Sequence, residues 1–206
     1  TSYTPYQPEI AQGRLEALMN YQTMVSDLTG MDISNASLLD EPTSAAEAMM
    51  LAKRVAKSKS NTFFINSKTF KQTIAIIKSR AKPLGVEIEI GDCPDKEKEY
   101  FAAYFQYPNA EGSIEDLESV TKDIQAKGGL MIIGTDLLAL TLLKTPGDFG
   151  ADIAVGSAQR FGVPMGFGGP HAGFMAVKDV YKRSLPGRLI GLTHDSKGRA
   201  WFRLAL

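Results

Sequence analysis

The apolar run "LMIIGTD" ends at Asp136, and the next one, within "DIAVGSAQRF" (152–161), gives way to Gly156-Ser157-Ala158 and then Gln159. A carboxylate at one strand end can hold the ring nitrogen of a heterocycle. A lysine at the next can form an imine with an aldehyde, and together they serve a pyridoxal-type electron sink. Gln159 has no amine for that bond. Arg160, beside it, stays protonated and does not replace a tuned lysine, and Lys144 and Lys178 fall off this strand end. The covalent chemistry is therefore absent at this position. Asp136 keeps a second reading, as a helix N-cap or loop acid.

A phosphate handle would lie on the amides that open a helix, and "LLDEPTSAAEA" (38–48) is the place for one. Thr43 and Ser44 suit an anion, but Glu41 brings like charge and Pro42 lacks an N–H. Ser44 and Glu47 have capping-box spacing, so the segment is expected to cap a helix. The run "GVPMGFGGPHAGF" (162–174) has neither the strand–GxGxxG–helix context of a dinucleotide site nor a P-loop ending. It is expected to be a tight loop packed against something. His171 and His194 have no cysteine or acidic cluster near them, which argues against a metal. No GxSxG elbow supports a Ser-His-Asp triad.

The elements that must position these residues alternate. The spacing predicts helices in 8–30, 40–59, 69–85 and 114–128, and strands at 61–67, 86–90, 99–107, 130–136, 152–158 and 172–178, with a short extended piece at 34–39. Apolar strands between amphipathic helices imply a three-layer α/β/α fold with a mainly parallel central sheet. Ligands of such sheets bind beyond the carboxyl ends of the strands. Asp40–Ser44, Ser67, Tyr107–Gly112, Asp136 and Ser157–Gln159 should thus share one edge. The 206 residues read as a single α/β domain.

With 44% hydrophobic and 22% charged residues and zero formal net charge, the composition is that of a soluble globular chain. Its singly scattered Lys and Arg argue against nucleic acid, and no apolar stretch approaches a membrane span. Cys93, the one cysteine, excludes an internal disulfide. The chain starts without Met and stops in "RAWFRLAL", so it is expected to be a fragment of a longer polypeptide.

The Asp136…Gln159 spacing resembles fold type I pyridoxal phosphate enzymes, in which Ser-x-Lys stands at the second strand end. Longer runs are more specific. "TSYTPYQPEIAQGRLEALMNYQTMVSDLTGMDISNASLLDE", "AAEAM", "QYPNAEG", "TDLLALTLLKTPGDFGADIAVGSAQRFGVPMGFGGPHAGFMAVKD" and "KRSLPGRLIG" closely resemble the P-protein family of the glycine cleavage system. The resemblance implies a pyridoxal-phosphate-dependent transferase-like large domain from an N-terminal half without the catalytic lysine. Gln159 would stand at the Schiff-base position, with no catalytic residue in this chain. The complete enzyme, a glycine dehydrogenase (aminomethyl-transferring), would use pyridoxal phosphate to decarboxylate glycine and pass the aminomethyl group to a lipoyl carrier (H) protein. This chain alone would be inactive and would bind no cofactor covalently.

The resemblance also implies a C-terminal catalytic half as partner, a dimer, and a cytoplasmic (bacterial) or organelle-matrix (eukaryotic) location. Contacts lent to the partner's site would come from Tyr3, Tyr6, Gly168, Gly169 and His171, although dimer packing explains those segments nearly as well. A non-catalytic interaction or binding module of the same fold is the alternative.

Overall fold

The computed structural model describes residues 7–205. Its elements are α1 (Gln12–Thr29), β1 (Ile33–Ser34), α2 (Glu41–Val55), β2 (Thr62–Asn66), α3 (Lys71–Ala81), β3 (Glu87–Gly91), β4 (Ala102–Tyr107), α4 (Glu118–Ala126), β5 (Leu130–Asp136), β6 (Ile153–Ser157), β7 (Gly173–Val177), β8 (Leu189–His194) and β9 (Ala200–Ala205). A seven-stranded sheet runs in the order β1-β7-β6-β5-β4-β2-β3. β2 to β6 are parallel, while β7 pairs antiparallel with both β6 and β1. This is the mainly parallel, helix-covered sheet that the alternating pattern implies.

Each face of the sheet has its own core. Ala45, Ala48, Met49 and Ala52 of α2, with Ile77 of α3, pack on Phe63, Ile65, Tyr104, Ile132 and Val155. Small residues on α2 let its backbone lie close to the strands. On the other face Val25 of α1 and Ile124 of α4 meet Phe64, Phe105, Met131 and Ile133. β4 is buried along its whole length, in keeping with an apolar run interrupted by Gln106 alone.

Two expectations change. Ser44 is not the cap of α2: Asp40 is extended and its Oδ1 accepts from the Thr43 amide at 2.8 Å, while the Ser44 hydroxyl, one turn in, donates to the Asp40 carbonyl at 2.7 Å. Pro42 in the first turn has no amide to cap, so the helix opens just ahead of it. The second change is the β8–β9 hairpin, for which no strand was expected. Two glutamines of α1 hold it. Gln22 exchanges both amide groups with the backbone of Ile190, and Gln12 does the same with Phe202. Each side chain stands in for a neighbouring strand at an edge that would otherwise be unpaired.

Candidate functional site at the carboxyl edge of the sheet

The expected edge forms in part: Glu41, Asn109, Asp136, Ser157 and Gln159 share it, whereas the Ser67 hydroxyl turns to Asp92 and Tyr107 packs into the core. A cavity of about 340 Å³ opens beyond β4, β5 and β6 and under the start of α2, bounded by Glu41, Gln106, Asn109, Asp136, Gln159 and Arg160, with Phe70 as an apolar wall. The parallel register places Asp136 of β5 opposite Ser157 of β6, which brings the two strand ends together. Gly134 makes room beneath them, because a Cβ there would overlap the Tyr104 hydroxyl.

Asp136 is engaged on both oxygens. Its Oδ1 accepts from the Leu138 amide at 3.0 Å, and its Oδ2 is in a close ion pair with the Arg160 guanidinium. Arg160 sits on the short turn after β6, and the spacing of the sequence gave no hint of this pair. The Gln159 side-chain NH₂ donates to the Pro170 carbonyl at 3.1 Å, and the Gln159 backbone N–H donates to Ser157 Oγ at 3.2 Å. Gln159 thereby ties the strand end to the glycine-rich loop, but that loop is otherwise exposed, with Met165 and Phe167 open to solvent, so, contrary to expectation, it does not pack closely within this chain.

Glu41, the first residue of α2, is the electrostatic anomaly. Burial pushes its carboxyl up to about 7. The Gln106 amide opposes the rise, while Asp136 and Asp40 add to it. Oε1 of Glu41 finds no donor. Tyr104 donates to Gln106 Oε1 at 2.9 Å, which leaves the NH₂ of that amide to face the acid. Burial, with Glu41 adding, drives the Tyr104 hydroxyl well above the usual phenol range.

A pyridoxal phosphate does not fit these residues. The helix start offers an acid, a proline and an amide already taken by Asp40. Asp136 is neutralised by Arg160, and the strand end presents an amide instead of an amine.

The remaining site residues are not gathered here. Gly168 and Gly169 have positive φ, and a Cβ on Gly169 would lie 2.7 Å from the Pro164 carbonyl. His171 is exposed on the same loop, and His194 is exposed on β8. Tyr3 and Tyr6 lie outside the described residues. The described residues contain no group of three His, Cys, Asp or Glu able to hold a metal, and no helix long and apolar enough to cross a membrane. In the turns after β5 and β6, Leu138, Leu142, Phe161, Met165 and Phe167 are exposed.

The model of the glycine cleavage system P-protein family matches residues 1–206. A glycine dehydrogenase (decarboxylating) from Rhodopseudomonas palustris (strain BisA53) is 59% identical over 208 residues, covering 100% of this chain and 22% of the relative. A crystal structure of a glycine decarboxylase (P-protein) in inhibitor-bound form superposes with a TM-score of 0.91 at 39% identity, over 100% of this chain and 48% of that one. A cystathionine gamma-lyase from Micromonospora echinospora, at 11% identity and TM-score 0.60 over 82% of this chain and 44% of its own, shares the fold. The chain thus spans about a fifth of the length of the curated relative and about half of the solved P-protein chain.

Proposed function

This chain belongs to the glycine cleavage system P-protein family, and from that premise we propose that it is part of the half without a Schiff-base lysine. In this reading the complete protein is a glycine dehydrogenase (aminomethyl-transferring). It uses pyridoxal phosphate held by a C-terminal half to decarboxylate glycine, and it delivers the aminomethyl group to a lipoyl carrier (H) protein. The segment described here forms no covalent bond to the cofactor and supports the partner half's site from outside.

One observation carries the reading: all three cofactor handles at the sheet edge are occupied by residues that oppose a cofactor. Gln159 replaces the amine, Arg160 holds Asp136, and Glu41 with Pro42 stands where a phosphate would go. Random drift of one residue would not disable the three together. The exposed apolar side chains on the same edge suit burial against a second large domain. The loop of Gly168, Gly169 and His171 leaves from that edge as well, and Tyr3 and Tyr6 would join it as lent contacts.

The test is borohydride reduction of the complete protein loaded with pyridoxal phosphate, followed by peptide mapping. The label should fall on a lysine outside residues 1–206. A stoichiometric label on any lysine of this segment would overturn the reading.

A further inference from the structure

On the sheet face covered by α1 and α4, a second cavity lies between α4 and the 92–99 loop that leads from β3 to β4. It holds about 490 Å³ and shares no lining residue with the cavity at the carboxyl edge. Its walls are apolar: Pro94 of the loop, Tyr100 and Phe105 of the sheet side, and Leu117, Val120 and Ile124 at and along α4. Tyr100, Phe105, Leu117 and Ile124 are buried members of the core on this face, so the floor of the cavity is core and not surface.

The loop does not collapse into this space because it is pinned at both ends. At its start the Asn66 side chain donates to the Asp92 carbonyl at 2.9 Å, and the Ser67 hydroxyl bonds the Asp92 carboxylate. Further on, the Asp95 amide donates to the Tyr100 hydroxyl at 3.1 Å, and the Lys127 ammonium donates to the carbonyls of Lys96 and Lys98. An apolar hollow held open in this way forgoes the contacts that closer packing would give. It has the size and the character of a preformed ligand cleft, a mostly apolar space with a few polar groups at its rim.

The rim sets the charge of the ligand. Lys96 pairs with Asp123, Lys98 with Glu89, and Glu115 with Lys68. Asp92, Asp95 and Asp116 also line the cavity, and none of them is in an ion pair among the described residues. Against these three acids stands Lys127 alone, so the rim carries an excess of negative charge.

We propose that this cleft binds a small amphipathic cation, its apolar body against Phe105, Leu117 and Val120 and its cationic head among the three acids. The acids by themselves make no site: the cavity holds the ligand, and they exclude an anion of the same shape. Binding involves no covalent step and does not depend on the role proposed above for the chain.

The experiment uses the complete protein and benzyltrimethylammonium chloride, which has no N–H to react with a pyridoxal aldehyde elsewhere. Calorimetric titration gives the affinity. Cys93, an exposed thiol that lines the cavity and is the one cysteine of this segment, reports the place of binding through its alkylation by iodoacetamide, followed by peptide mapping. The probe should bind and, at about ten times its Kd, slow alkylation of Cys93 about tenfold. Sodium benzenesulfonate, an anion with the same ring, should bind at least about tenfold more weakly. Asp95→Asn combined with Asp116→Asn keeps the Oδ1 acceptors used by the Glu97 and Glu118 amides. It should weaken binding of the cation about fivefold, the scale of two exposed charge pairs. Val120→Trp, which fills the space, should abolish both binding and protection, with melting checked in parallel. No binding, as when another part of the complete protein fills the cleft, would overturn the proposal. Binding without protection of Cys93, equal binding of the anion, or unchanged affinity in the double variant would each overturn it as well. The protection and charge preference of the unaltered protein keep the test decisive even if a variant folds poorly.

Discussion

Two acids at opposite ends of β6 and its neighbours have opposite surroundings. At the amino end, Asp152 is buried and fully supplied. Its Oδ2 accepts from the Met131 amide at 2.9 Å and the Gln125 side chain at 2.8 Å, and its Oδ1 pairs with Lys178 at 2.8 Å. At the carboxyl end, Glu41 is mostly buried yet has an oxygen with no donor, and its carboxyl is held up near 7 by that burial. An acid with donors on both oxygens behaves as a structural staple. An acid left short, beside a cavity and in a sheet edge built for ligands, belongs to a site or to the remains of one.

The largest effect should come from breaking the staple. Asp152→Ala leaves the Met131 amide and the Gln125 side chain without their acceptor and removes the partner of Lys178. It should destabilise the protein by about 2–4 kcal/mol in urea denaturation. A loss below about 1 kcal/mol would remove the contrast between the two ends.

Glu41 should act with the opposite sign. Its folded pKa, about 7, is raised above the ordinary carboxylate value of 4.5. Its contribution to stability is therefore complete below about pH 4.5 and lost as pH rises through 7. Glu41→Gln should flatten that part of the pH–stability curve and make the protein more stable than the parent at pH 8 by about 3 kcal/mol. Parallel denaturation curves at pH 5 and pH 8 measure it, and a variant equally or less stable at pH 8 would contradict the assignment.

Contacts lent to the partner should register in turnover. His171→Ala and Tyr6→Phe in the complete enzyme should each lower glycine turnover about 10- to 100-fold, the scale of a hydrogen bond to a charged group. Melting temperature should not change. If activity falls only in step with assembly, these loops are dimer packing.

The smallest change is expected at Asp136. Its ion pair with Arg160 is largely in solvent, so Asp136→Asn should cost no more than about 1 kcal/mol of stability. A cost several times larger would mean that the two ends of the sheet are equally stapled.

Much of this contrast was legible beforehand at one end only. The strand ends, the missing amine at Gln159 and the compromised helix start follow from residue type and alternation, because both are local. The Arg160–Asp136 pair is not legible in the sequence because it depends on two strand ends meeting in the parallel register. The Glu41 carboxyl is visible in the sequence as a like charge against phosphate, but its rise to about 7 comes first from burial in the folded chain, which no local pattern reports. Asp152 gave no signal, since its donors come from α4, β5 and the end of β7. The β8–β9 hairpin was missed for a similar reason. Its strands are half-exposed, and Gln12 and Gln22, which hold them, lie at the far end of the sequence.

The most direct test of the central claim, that the edge is disabled at all three handles and not only at the lysine position, is Gln159→Lys in the complete protein. After loading with pyridoxal phosphate and reducing with borohydride, peptide mapping should still place the label outside residues 1–206, because Arg160 holds Asp136 and Glu41 opposes the phosphate. A stoichiometric label on the introduced lysine at position 159 would show that one amine restores the site, and it would contradict the claim.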